Sequence, residues 1–360
     1  MFGATQKAYR RPGQTFGDPT LLEKLDLVPG LSSLAFTIIA GLLTAGFRGE
    51  RGAVGVRLST AQLQYISPPF RDLYRKYCKK HGIVPQVLNL KFGTEAFWIG
   101  SPSAKNIVIY FHGGGFSLDG EDDHIRFWAD DVASDVNAGS RKNVAFLFLA
   151  YTLVPFATYP TQIYEAAECL KHVLSELGRS PSDVTIAGDS AGANICLALL
   201  SLMLHPSNDL PEVQVDKPLK AMVLLGPWLS FQYDYPSMTV NAQKDICAVP
   251  SEAMWARDYL AGKPSTPYAE PLDADAEWWK GAELKVSHCF ASSGSHEILL
   301  DHTIAWAAKY RSVTPEDHFE LVIGNGECHI APIIEPLLCD SSPTEQGDAI
   351  KTFFKTHFTS

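Results

Sequence analysis
Basic runs are absent from this 360-residue chain: 30 Lys and Arg stand against 40 Asp and Glu, a formal charge of −10 with no cluster of positive charge. Nucleic acid is thereby left without an electrostatic footprint and is excluded as a partner. No CxxC pair occurs among the seven cysteines, at positions 78, 169, 196, 247, 289, 328 and 339. Their odd number and scatter argue against a disulfide framework or a zinc knuckle and for a reducing compartment. The first thirty residues hold Arg10, Arg11 and Pro12 but no apolar h-region, so no secretory signal is read there and a cytoplasmic location is expected. Repeats and low-complexity tracts are missing too. Hydrophobic residues at 46% and charged residues at 19% are ordinary globular usage, which rules out wholesale disorder and allows a large core.

Long apolar runs are scarce, with one exception. Leu31–Phe47 carries no charge for 17 residues, the bottom of the membrane-spanning range. Ser33, Thr37, Gly41 and Thr44 recur at helical spacing and give it a weakly polar stripe, so it reads as a cap helix. Contact with a membrane surface and a true membrane anchor are the disfavoured alternatives.

Along the chain, residues 1–85 are helical in pattern, with Leu21–Val28, the apolar run and Pro69–His81 closed by Gly82. Gln86–Phe92 and Glu95–Ile99, joined through Gly93-Thr94, read as a hairpin. Strand-like runs follow at Asn106–Phe111, Val144–Tyr151, Val184–Ala187, Ala221–Leu225, Val286–Ala291 and Phe319–Ile323. Several are continuously apolar, as strands covered on both faces must be. Helix-length patterns separate them at Thr161–Leu177, Ala191–Leu204, His302–Arg311 and Gln346–His357, so a doubly wound α/β sheet is expected. Trp228–Lys280, rich in Trp, Tyr and Pro, breaks the alternation and reads as an insertion. The expected organisation is an N-terminal helical cap segment (1–85), core (86–227), cap insertion (228–280) and core (281–360).

The chemistry gathers at three places. Val184–Gly192 runs from an apolar strand through Gly188-Asp189-Ser190-Ala191-Gly192 into a helix. A serine on so tight a turn is lifted off the sheet edge, with the helix N-terminus aimed at the reacting centre. After the strand ending at Phe111 comes His112-Gly113-Gly114-Gly115-Phe116, whose glycines let consecutive N–H groups converge on one oxyanion. Gly113, Gly114 and Ala191 are the expected donors, and His112 an orienting group for the loop. A phosphate cradle would need G-x-x-x-x-G-K-[ST], and no such lysine follows. The chain order Ser, acid, His points to His329 as the base, just beyond the last strand. Glu297 and Asp301 both qualify as the acid; Glu297 is preferred because it comes first on the loop leaving its strand. Phe116, Asp189 and Trp228, beside these motifs, are expected to contact substrate. His296 and His302 lack the spacing and third ligand of a metal site, so neither metal nor cofactor is expected.

HGGGF at 112–116, GDSAG at 188–192, Glu297-Ile298-Leu299-Leu300-Asp301, Tyr151–Pro160 and Gly326–His329 together resemble the hormone-sensitive-lipase-like branch of the α/β-hydrolase superfamily. The stretch at 67–82, SPPFRDLYRKYCKKHG, is similar to filamentous-fungal members, many of which are detoxifying or secondary-metabolite esterases. Three departures stand out: Glu297 for the usual Asp, Ile298 for Pro, and Thr152 and Phe156 for an Arg and a Glu of the block after the fourth strand. The resemblance implies an α/β-hydrolase fold, with a mostly parallel eight-stranded sheet flanked by helices. It also implies a serine carboxylic-ester hydrolase acting through an acyl-enzyme. The expected substrate is a short-chain, acetyl-like ester of a hydrophobic small molecule, secondary metabolites being the class that the fungal resemblance suggests. Acyl transfer or lactone chemistry with the same residues is the first rival, and a ligand-binding receptor of the same fold the second. A homodimer stays open.

Overall fold
The computed structural model describes residues 60, 68–137, 143–338 and 340–358. Leu21–Val28 and Leu31–Phe47 lie outside the described residues. Among the described residues, no helix is long and apolar enough to cross a membrane.

Eight strands form one mixed sheet: β1 (Val87–Asn89), β2 (Glu95–Ile99), β3 (Asn106–Phe111), β4 (Val144–Ala150), β5 (Val184–Asp189), β6 (Leu219–Leu225), β7 (Val286–Gly294) and β8 (Phe319–Gly324). Their spatial order is β1-β2-β4-β3-β5-β6-β7-β8. β1 with β2 and β2 with β4 pair antiparallel, and every other pair is parallel. The hairpin read at 86–99 is present but its first strand is short. A 3-10 turn at Lys91–Gly93, with Phe92 at φ 62°, ends the pairing at Asn89. β7 runs to Gly294, three residues beyond the expected Ala291, and so delivers the next loop directly to the strand end.

Period-2 alternation distributes β3 between two cores. Ile107, Ile109 and Phe111 face one side, with α3 (Thr161–Lys171) and α4 (Ala191–Leu204), taking α1 as Phe70–His81 and α2 as Asp122–Arg126. Val108 and Tyr110 face the other, with Phe70 and Tyr74 of α1 and, from a π-helical turn after α2, Phe127 and Trp128. α4 is buried along 13 of its 14 residues, which explains why it is apolar all round rather than on one stripe. Between β6 and β7 the insertion contributes α5 (Pro236–Val240) and α6 (Val249–Leu260). α7 (Leu300–Arg311) follows β7, and α8 (Glu345–Phe358) closes the fold. The six described cysteines carry no disulfide.

Thr152 and Phe156, which depart from the family block, leave no gap in bonding. The buried carboxylate of Glu165 accepts the Thr152 backbone N–H at 2.6 Å and its hydroxyl at 2.5 Å. Thr152 is thereby held to Glu165 through both its main chain and its side chain.

Candidate active site
Ser190 sits between β5 and α4 at φ 52°, ψ −118°, a left-handed region that an L-residue enters only when its surroundings hold it there. Three backbone bonds do so: its N–H donates to Leu225 O at 2.9 Å, and its carbonyl accepts from Trp228 N at 3.1 Å and Asn194 N at 3.2 Å. The flanking glycines are required by close approach. A Cβ on Gly188 would stand 2.4 Å from the Gly192 carbonyl carbon, and one on Gly192 1.9 Å from Phe111 O. β3, β5 and α4 can therefore meet at the turn only with hydrogen at both positions.

The glycine loop lies against this turn: a Cβ on Gly113 would be 3.0 Å from the Ser190 Cβ. Of the expected oxyanion donors, one already has a partner. Gly113 N–H is spent on Asp189 Oδ1 at 2.9 Å. Among the described residues, no hydrogen bond takes the N–H of Gly114, Gly115 or Ala191. His112 Nδ1 donates to Gly113 O at 2.7 Å, and its ring stacks on Tyr151 at 4.4 Å. Tyr151 in turn donates its hydroxyl to His112 O at 2.7 Å, so the loop is braced from both sides.

Asp189, expected to contact substrate, is fully buried and accepts from Tyr110 Oη, Gly113 N and His124 Nε2. Burial alone would raise its pKa. The charge and hydrogen bond of His124 and the Tyr110 hydroxyl outweigh that and hold it below the ordinary carboxylate value. Its work is to anchor the glycine loop. Phe116 and Trp228 are likewise wholly buried and do not line an open surface. Phe116 stacks on Tyr259 of α6 at 3.8 Å and tilts against Trp228 at 5.9 Å, making an aromatic core that joins the insertion to the sheet.

The structure brings His329 and Glu297 together: Nδ1 stands 2.6 Å from Oε1. The other oxygen of Glu297 accepts from Ser293 Oγ at 2.6 Å and Gly294 N at 3.0 Å. A Cβ on Gly226 (φ 51°) would lie 3.0 Å from His329 Nδ1 and 3.1 Å from Glu297 Oε1. Gly226 adjoins Leu225, whose carbonyl receives the Ser190 N–H, so the pair and the serine turn meet over the end of β6. Asp301 is elsewhere. Its Oδ2 accepts Ser237 N at 2.8 Å, tying the first turn of α7 to the insertion. Burial disfavours the His329 cation, but the carboxylates of Glu297, Asp245 and Glu252 overcome it and push the pKa up to about 9.

Three residues of this site carry no motif. Ser293 orients Glu297 from the end of β7, while Asn241 and Asp245 reach it from the insertion. Trp255 of α6 lies directly against Gly115: a Cβ there would stand 2.2 Å from its ring. The period-3.6 face of α6, with Glu252, Trp255, Ala256 and Tyr259 buried, was the one signal that this helix covers the loop.

A family model described as alpha/beta hydrolase fold matches residues 108–332. The chain is 30% identical over 226 residues to an esterase of Acinetobacter venetianus, covering 62% of this chain and 67% of that protein. It is 28% identical over 196 residues to an acetyl-hydrolase of Streptomyces hygroscopicus, covering 54% of this chain and 58% of that one. It thus spans about three fifths to two thirds of the length of these curated relatives. Among solved structures, an esterase from the bacterial hormone-sensitive lipase family superposes with a TM-score of 0.65 at 23% identity, over 90% of this chain and 98% of that chain.

Proposed function
The chain belongs to the alpha/beta hydrolase fold family, and on that footing we propose that it is a serine carboxylic-ester hydrolase of the hormone-sensitive-lipase-like branch. The observation that carries the reading is the convergence at Gly226. There a hydrogen-bonded His329–Glu297 pair, buried to 3% and 0% exposure, abuts the turn that holds Ser190. In the proposed reaction Ser190 Oγ attacks the acyl carbonyl and His329 Nε2 takes its proton, then returns it to the leaving alcohol. Glu297 keeps the Nδ1 proton in place and stabilises the imidazolium. The N–H groups of Gly114, Gly115 and Ala191 receive the oxyanion, and water then cleaves the acyl-enzyme by the same route in reverse.

The base must be neutral to act. Because its pKa is raised to about 9, the neutral fraction is lost as pH falls through that value. The acid limb of kcat/KM is therefore expected well to the alkaline side of 6.5, the ordinary imidazole value. A pH–rate profile with p-nitrophenyl acetate checks this; a limb at or below 6.5 would remove the three-carboxylate account of His329.

The acyl side is proposed to be short, acetyl above all, because the Trp255 ring closes down on Gly115 directly over the oxyanion loop. An acetyl-hydrolase among the relatives supports this. The alcohol side is proposed to be hydrophobic, since Tyr233, Tyr235 and Met254 of the insertion remain half-exposed beyond the aromatic core. Across p-nitrophenyl esters of increasing chain length, kcat/KM should peak at the two- to four-carbon acyl groups. A peak at eight carbons or longer would point instead to an elongated, lipase-like cleft.

A further inference from the structure
Asp245 lies in the loop between α5 and α6 and is 1% exposed. Its Oδ1 accepts the backbone N–H of His329 at 2.9 Å and of Ile246 at 2.8 Å, and its Oδ2 accepts that of Ile298 at 2.7 Å. Ile298 directly follows Glu297. One carboxylate thus ties the loop after β8 to the loop after β7, and both to the insertion. Four residues earlier, Asn241 Nδ2 donates to Ser295 O at 3.1 Å and Glu297 O at 2.9 Å. The Asp245 N–H bonds back to Asn241 O at 3.0 Å, so both side chains act from one turn of chain.

We propose that Asp245, assisted by Asn241, is the positioning residue that sets His329 against Glu297, making the insertion part of the assembly of the base rather than only its cover. The inference rests on the serine-esterase reading. The physical need is plain: base and acid stand on loops of different strands, 32 residues apart. The two loops meet directly where His296 N–H donates to Glu327 O at 2.9 Å and Gly326 N–H to Ser295 Oγ at 2.7 Å, but neither bond reaches the main chain of His329. A displacement of about 1 Å can cost about 100-fold in rate. Bonds from N–H groups to a carboxylate are shorter and stronger than neutral ones and suit such a clasp.

Asp245 acts in two separable ways. Its bonds fix geometry, while its charge stabilises the imidazolium that forms in the transition state. Facing His329 are Glu297 from the loop after β7, and Asp245 and Glu252 from the insertion, while burial opposes all three. Facing Asp245 are His329, Glu297 and, from the insertion, Glu252; burial pushes its own carboxyl up to about 6, so above that pH it is the anion the clasp requires.

The test uses the full chain. In Asp245→Asn one acceptor becomes an NH₂ that opposes a main-chain N–H, and the charge is lost. The expected result is a fall in kcat of about 10- to 100-fold with KM within about twofold, and an acid limb of kcat/KM moved to lower pH. Asn241→Ala removes only neutral bonds, so it should lower kcat and leave the limb in place. A third measurement needs no turnover. In the Ser190→Ala background, the downfield proton NMR signal of the His329 Nδ1–H shared with Glu297 should be present, and should move or vanish when Asp245→Asn or Asn241→Ala is added. Wild-type kcat with an unmoved limb in Asp245→Asn overturns the proposal, and so does a change in thermal midpoint alone in both variants. Should Asp245→Asn not fold, Asn241→Ala decides, unchanged kcat and an unchanged signal overturning the inference. Because the signal is read without catalysis, failure of the clasp and failure of the esterase reading are told apart.

Discussion

Ser190→Ala is expected to lower ester hydrolysis by about 10⁵- to 10⁶-fold, leaving the residual 10³–10⁴ over water that an oxyanion site and binding alone provide. The fold should be untouched. The substitution removes one hydroxyl and no main-chain group. The bonds that hold residue 190 at positive φ are main-chain bonds to Leu225, Trp228 and Asn194, and alanine keeps all three. Thermal midpoint and circular dichroism should therefore match the parent while turnover of p-nitrophenyl acetate disappears. Intact-mass spectra after rapid quenching should show an acyl increment on the parent and none on the variant. Parent-like turnover in the variant, free of contaminating esterase, would remove serine from the mechanism.

The second large effect separates two acids that the sequence leaves side by side. In Glu297→Gln the amide must satisfy Ser293 Oγ and Gly294 N with its oxygen, which turns its NH₂ toward His329 Nδ1. Two donors cannot face each other, so the imidazole adopts the other tautomer, with its proton on Nε2 where the serine proton should go. A fall in kcat of about 10³- to 10⁴-fold follows. Asp301→Asn should change kcat by less than about twofold, because an amide oxygen can still accept the Ser237 N–H. The reverse ranking would transfer the acid role to Asp301.

How far the sequence reaches depends on how far apart in the chain the deciding contacts lie. The serine turn was legible because its parts are contiguous: a buried strand, two glycines forced by close approach, and a helix apolar on every side. The parallel core was legible for a similar reason, since strands covered on both faces leave unbroken apolar runs. The glycine loop was legible as a donor cradle, but not which of its N–H groups remain available. Gly113 is taken by Asp189, 76 residues later, and only the packed sheet brings them together. Asp189, Phe116 and Trp228 were read as substrate contacts from proximity in sequence to the motifs. All three are buried, Asp189 under Tyr110, Gly113 and His124, and Phe116 and Trp228 in the aromatic core with Tyr259.

What the sequence alone determined, then, is the fold class, the serine turn, the glycine loop and the candidates for base and acid. All of these are written in local patterning or in the order of the strands. Only the tertiary structure shows that His329 stands against Glu297 while Asp301 is bonded to Ser237, that the Gly113 N–H is taken by Asp189, and that Asp245 and Asn241 reach the loops of the pair. Asp245 reaches partners 53 and 84 residues away, and its bonds run to main-chain N–H groups that every residue but proline possesses. The one mark such a contact leaves is that Ile298, standing where the family has Pro, has an N–H to give; nothing in the spacing says which carboxylate receives it.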